Sequence, residues 1–235
     1  MLLVQVLQGL MEGVVLFLIA SGLTLIFGVS RIVNFAHGSF YMLGAFLTYQ
    51  VYPHLAAGTL LGFYGSIVLC GVLVAIVGLL FEVLILRRVY HEEELMQLVM
   101  TVAMVLIMRD AVKFFWGLDD VTVRLPAKLD GAVVVGGVYL PTFQLAMVAV
   151  GILVLALIWV TLHFTRAGII LRAATDDRGM VALLGINQAH VFTAVFAVGT
   201  FLAGIAGGLM GAFESVTYLL DARIIVTAFI VVVIG

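Results

Sequence analysis

LLGFYGSIVLCGVLVAIVGLLFEVLIL, residues 60–86, carries one charged side chain, Glu82, and is followed at once by Arg87 and Arg88. As a helix rising 1.5 Å per residue, this run measures roughly 40 Å, enough to cross a hydrocarbon core of ~30 Å. Working outward, apolar windows of comparable length lie at 7–29, 95–116, 141–163 and 190–213. A shorter window occupies 35–52, and a last one begins near Ala222 and is still apolar at Gly235. Hydrophobic residues make up 65% of the chain and charged residues 10%. A soluble domain is about half apolar and a quarter charged, so lipid must face much of this surface. The expected fold is all-α: a polytopic helical membrane bundle of about seven segments, forming a single transmembrane domain over 1–235. The second helix is expected to be short or broken. A chain stopping inside a helix suggests a longer parent with more helices. Residues 1–9 lack Lys and Arg, so the first window is expected to be a retained helix rather than a signal peptide.

Pro53, Pro126 and Pro141 fall between windows or at a window's first residues, where a missing N–H does no harm. Basic residues suggest an orientation. Arg87 and Arg88 follow the third window, and Arg166, Arg172 and Arg178 lie between 141–163 and 190–213. The 117–140 loop offers Arg124 and Lys128 against Asp119, Asp120 and Asp130. The positive-inside rule then places 87–94 and 164–189 in the cytoplasm and 117–140 outside, with an external N-terminus. The outer loop contains apolar stretches at Val121–Leu125 and Ala132–Leu140 that suit a small hairpin. A net charge of −2 argues against a nucleic-acid partner. Cys70 is the only cysteine, so intrachain disulfides and thiolate metal clusters are excluded.

Gly28-Val-Ser-Arg-Ile-Val-Asn-Phe-Ala-His-Gly-Ser-Phe-Tyr-Met-Leu-Gly44 concentrates polar groups between two apolar windows. Irregular backbone at membrane depth is tolerated only where it is buried in protein or lines a cavity, and half-helix ends bind polar solutes in transporters. One reading makes this a broken element on a translocation path, with Asn34, His37, Gly38 and Ser39 as candidates. The other makes it an ordinary turn with Arg31 at the headgroups and Asn34 or Ser39 as a cap. Glu12, in the first window, joins the path candidates because an intramembrane charge costs on the order of 2.5–3.5 kcal/mol unless paired. Glu82, Glu214, Arg109, Asp110 and Lys113 belong to the same class, although Lys113 reaches the interface and pairs readily with Asp110 three residues away.

Arg166–Asn187 is amphipathic. Leu171, Ala174, Met180, Leu183 and Leu184 alternate with Arg172, Asp176, Asp177 and Arg178. Such a segment either docks into another protein's groove or lies on lipid with its arginines snorkelling. Farther on, Gly204/Gly208 and Gly207/Gly211 provide small residues at i and i+4, which let helix backbones approach within the subunit or against a second one.

Two of these segments carry a resemblance. GLTLIFGVSRIVNFAHGSFYMLGAF, Gly22 to Phe46, closely resembles the opening of the membrane subunits of branched-chain amino-acid ABC importers, a family with urea and short-amide relatives. Arg166–Asn187 resembles the coupling loop of ABC importer permeases, with Gly179 and Gly185 at the motif positions and Leu183–Asn187 fitting the branched-chain group. Gly179-Met180-Val181 departs from the family's acidic-Ala-Ala triplet. The resemblance implies Arg172, Asp176, Arg178, Gly179, Leu184, Gly185 and Asn187 as ATPase-coupling candidates. It also implies two ABC ATPase subunits holding ATP and Mg outside this chain, a second permease subunit, an external solute-binding protein, and residence in a bacterial inner membrane. No cofactor is expected on this chain.

Three functions compete. An importer permease predicts an amphipathic cytoplasmic loop and a charge-poor path, and both are present. An ion-coupled secondary transporter needs mid-membrane carboxylates or histidines, for which Glu12 and His37 are the main candidates. An intramembrane enzyme needs a nucleophile–base pair or metal cluster. Within the apolar windows, His-x-x-x-His, paired-Asp and Gly-x-Ser-x-Gly patterns do not occur.

Overall fold

A computed structural model describes residues 2–90, 92–135 and 137–234, apart from the side chains of Val135 and Arg178. Each apolar window becomes a helix. These are α1 (Leu2–Ser30), α2 (Ala36–Val51), α3 (Leu60–Leu84), α4 (Glu94–Trp116), α5 (Thr142–Phe164), α8 (Gln188–Met210) and α9 (Leu220–Ile234). Two short helices, α6 (Arg166–Asp176) and α7 (Arg178–Leu183), occupy the charged segment. Among the described residues, five helical runs, Leu2–Ser30, Leu60–Val89, Glu94–Trp116, Thr142–Phe164 and Gln188–Met210, are long and apolar enough to cross a membrane.

Helix α8 is the hub, with α1, α2 and α3 packed around it. Its small residues explain why. A Cβ added at Gly22 of α1 would stand 2.6 Å from the Gly199 carbonyl oxygen, and one at Gly204 would stand 2.9 Å from Val74 Cβ of α3. A Cβ on Gly207 would collide with the Tyr41 carbonyl of α2, and one on Gly44 with the backbone of Gly204. At Gly208 it would meet Thr48 Oγ1 at 2.6 Å, and at Gly211 the Val216 and Val123 side chains. Helices without a hydrophobic drive toward each other gain from such close backbone approach. Phe40, Phe81 and Phe196 fill the space between α2, α3 and α8, with ring centroids 6.1–6.2 Å apart.

Helices α4 and α5 are peripheral. Only 17% of the apolar window of α4 and 11% of that of α5 is buried. Gly151 of α5 rests on Val14 of α1, whereas Ile152, Leu155 and Trp159 face outward. A surface this apolar suits lipid or another membrane subunit.

The loop between α4 and α5 folds as β1 (Ala132–Val135) paired antiparallel with β2 (Val138–Pro141). The hairpin therefore falls on the second apolar stretch and runs one residue past it, to Pro141. The first stretch pairs elsewhere: Val121 bridges Val216, and the Val123 N–H donates to the Gly211 carbonyl at 2.9 Å. The loop thus ties down the α8–α9 connection, where Lys113 also lies 5.2 Å over the Tyr218 ring.

Candidate functional site

The break between α1 and α2 decides where the polar candidates go. Ser30 Oγ donates to the Ile26 carbonyl at 2.8 Å and accepts from the Ile32 N–H at 3.2 Å. Arg31 takes a left-handed φ of 54°, closing α1 and turning the chain back. Residues 31–34 then run without helix or strand. His37 Nε2 ends 3.0 Å from the Ile19 carbonyl oxygen. Ile19 lies roughly 16 Å back along α1 from Ser30 at 1.5 Å per residue. Helix α2 therefore begins part-way along the length of α1 and is a half-helix. A sequence window cannot show this, because extended backbone consumes length without leaving the apolar run.

Asn34, His37 and Ser39 are all fully buried. Asn34 Oδ1 accepts from the Ala36 N–H at 3.1 Å, so it caps the first turn. Gly38 is there because a Cβ would stand 2.7 Å from the Asp221 carbonyl oxygen. Ser39 Oγ donates to Asp221 Oδ2 at 3.0 Å. Helix α9 runs antiparallel to α2: Ser39 meets Asp221, Gly38 meets Ile225, and the Phe35 and Phe229 rings lie 5.2 Å apart. The N-terminal turns of two helices thus meet.

Asp221 is the centre of this meeting point. Its carboxylate, on a residue only 2% exposed, receives Arg109 Nε at 3.0 and 2.9 Å, Ser39 Oγ, and the Ala222 N–H at 2.8 Å. Three donors to one carboxylate, with the Arg109 Nε–H shared between its two oxygens, satisfy a charge that would otherwise be prohibitive in this setting. Sequence reasoning missed Asp221 because it falls just outside the last window, as apparent flank. The signal was Arg109, deep in the α4 window, while Asp110 takes Lys113 at 3.2 Å. Glu82 is also fully buried and satisfied, by Arg87 at 3.3 Å, Tyr90 Oη at 3.0 Å and Thr193 Oγ1 at 2.8 Å. Glu12 stands apart from these clusters, exposed on α1 and bonded to Gln8 Nε2 at 3.3 Å.

The charged segment forms a helical hairpin tied by caps. Thr165 Oγ1 accepts from the Gly168 N–H at 3.1 Å to start α6, and Asp177 Oδ1 accepts from the Met180 N–H at 3.1 Å to start α7. Asn187 Oδ1 accepts from the Ala189 N–H at 3.0 Å to start α8. Gly185 closes α7 with φ 79°, its N–H donating to Ala182 and that of Ile186 to Val181. These two bonds make a Schellman ending that favours glycine. Arg172 donates to the Leu162 carbonyl, and Asp176 and Gly179 are exposed. The side chain of Arg178 lies outside the described residues. Leu183 is 83% exposed and Leu184 74%. Beside them Met180 is also exposed. The tip therefore offers apolar side chains ringed by charge.

A cleft of about 1050 Å³ opens between α3, α5, α6 and α8, walled by residues such as Val68, Leu153, Leu157, Leu171, Val195 and Leu202, with Asn187 and His190 at its hairpin end. Asn34, His37, Ser39 and Glu12 do not line it.

A bundle of membrane-length helices with one half-helix and a capped, exposed hairpin has the parts of a multi-pass membrane transport protein. Residues 5–235 match the family described as branched-chain amino acid transport system / permease component, and the chain belongs to that family. It is a transport permease component of ABC importers, not an enzyme. Over 225 residues it is 30% identical to the high-affinity branched-chain amino acid transport system permease protein LivH of Escherichia coli K12, covering 90% of this chain and 71% of that one. The LivH protein of Salmonella typhimurium is 30% identical over 224 residues, with the same coverage. The BraD permease of Pseudomonas aeruginosa is 28% identical over 220 residues, covering 88% of this chain and 70% of its own. No solved structure matches the chain.

Proposed function

We propose that this chain is a membrane subunit of an ATP-driven, binding-protein-dependent importer that carries branched-chain amino acids across a bacterial inner membrane. The observation that carries this reading is the α6–α7 hairpin. An apolar tip at Met180, Leu183 and Leu184, exposed and held rigid by three caps and a Schellman turn, has the chemistry of a surface that seats in another protein's groove. ATP and Mg belong to two ATPase subunits, which the hairpin contacts through Arg172, Asp176, Arg178, Gly179, Leu184, Gly185 and Asn187. The arginine excess of 164–189 puts the hairpin in the cytoplasm and the β1–β2 hairpin outside, where the binding protein delivers solute.

A second permease subunit completes the pathway. The outward apolar faces of α4 and α5 and the long cleft beside α8 supply surface for it. The half-helix α2, with Asn34, His37, Gly38 and Ser39, is the part of this subunit placed to respond to a passing solute. Glu12, exposed and bonded to Gln8, faces the outer headgroups or the partner rather than a coupling-ion site.

Single cysteines test the arrangement, since Cys70 is buried. Ala173→Cys and Asp119→Cys sit on exposed positions of the two loops. An impermeant maleimide on intact cells should modify the Asp119 variant and spare the Ala173 variant until the membrane is opened. Labelling of the Ala173 variant from outside would invert the orientation and remove the ATPase contact.

A further inference from the structure

Two buried side-chain nitrogens at the start of α2 have no hydrogen-bond partner among the described residues: Asn34 Nδ2 and His37 Nδ1. The chemistry of each is fixed by its other end. Asn34 Oδ1 is the atom that accepts from the Ala36 N–H, so Nδ2 is a donor. His37 Nε2 faces the Ile19 carbonyl oxygen, which can only accept. Nε2 therefore carries the hydrogen, and Nδ1 is a bare lone pair. One unmatched donor and one unmatched acceptor thus sit on two fully buried residues joined by a single backbone turn, in which the His37 N–H donates to the Asn34 carbonyl at 3.2 Å. Buried polar atoms pair with protein or with ordered water, and an isolated pair of opposite kind is the situation a bridging water resolves.

We propose that Asn34 and His37 hold one buried water, which accepts from Asn34 Nδ2 and donates to His37 Nδ1. The water links the chain reversal after α1 to the first turn of α2. Through His37 Nε2 and the Ile19 carbonyl it also links that turn to the middle of α1. With Nε2 donating and Nδ1 accepting, the imidazole is neutral and fully engaged. His37 then serves as a strut for the half-helix rather than as a proton carrier.

Two conservative variants test this without dismantling the neighbouring bonds. Asn34→Ser keeps an oxygen for the Ala36 N–H and removes the amide donor. His37→Gln keeps a donor for the Ile19 carbonyl and removes the bare nitrogen. In the complete transporter each variant should lower the melting temperature, and the double variant should lower it by no more than the larger single effect, because both lose the same water. A double effect equal to the sum of the singles would overturn the shared site. A cryo-EM map of the unmodified complex, resolved well enough to show ordered water, gives an independent reading. One peak within about 3 Å of both nitrogens is expected. No shared peak, or a density larger than a single oxygen, would overturn the proposal, the latter in favour of a solute group.

Discussion

Asp221 shows what a single residue does in this molecule. Its carboxylate joins α9 to α4 through Arg109 and to α2 through Ser39. Removing one partner of a buried ion pair leaves the other uncompensated, which costs about 3 kcal/mol or more, whereas removing both costs less than the two single losses together. Asp221→Leu and Arg109→Leu should each lower thermal stability by that order, and the double variant should recover part of it. Strict additivity would show that the pair is not coupled. Glycine contrasts are equally specific. Gly207→Leu should abolish folding, because its side chain would enter the Tyr41 carbonyl. Gly13→Leu should insert and fold normally, since a Cβ there meets nothing within 4 Å. Protease resistance and expression level in membranes distinguish the two.

Among the elements, the α6–α7 hairpin divides into scaffold and contact. Gly185 has open space around its Cα but a φ of 79°, so Gly185→Ala strains the turn by about 1 kcal/mol without touching any neighbour. A bulky residue there distorts the turn itself, so the position reports backbone conformation first. Leu183 and Leu184 are the cleaner probes. Leu183→Asp with Leu184→Asp should leave the melting temperature of the membrane subunit unchanged and abolish co-purification of the ATPase subunits. Retained ATPase with both substitutions would move the contact elsewhere. The same element shows how far sequence reasoning reaches. Apolar length alone located the five membrane-length helices among the described residues, because lipid imposes that length, and the charged gap at 164–189 stood out for the same reason. The half-helix was legible as a short window with polar residues, but its depth was not. Depth depends on an extended return past Ile19 that carries no periodic signal. The carboxylate that anchors it lies 182 residues from Ser39 in the chain, and no local pattern joins residues so far apart.

For the whole molecule, the membrane fold places two kinds of polar chemistry in two places. Buried charges are neutralised within the bundle, Asp221 by Arg109 and Glu82 by Arg87, so both buried carboxylates among the described residues are compensated. Exposed charge gathers on the hairpin instead, where an external source of work can act. The small-residue face of α8 packs α1, α2 and α3 around it, and the hairpin is covalently continuous with α8 through Asn187, so under the proposed function a push at the hairpin is expected to reach the half-helix. Energy is therefore expected to arrive from ATPases and not from a gradient. Uptake of radiolabelled leucine into proteoliposomes is the measurement that decides this, with the permease reconstituted alongside its ATPase subunits and binding protein, and every ion gradient collapsed. Accumulation should require ATP inside together with binding protein outside. Accumulation driven by a proton or sodium gradient in this chain alone, without ATP, would contradict the account.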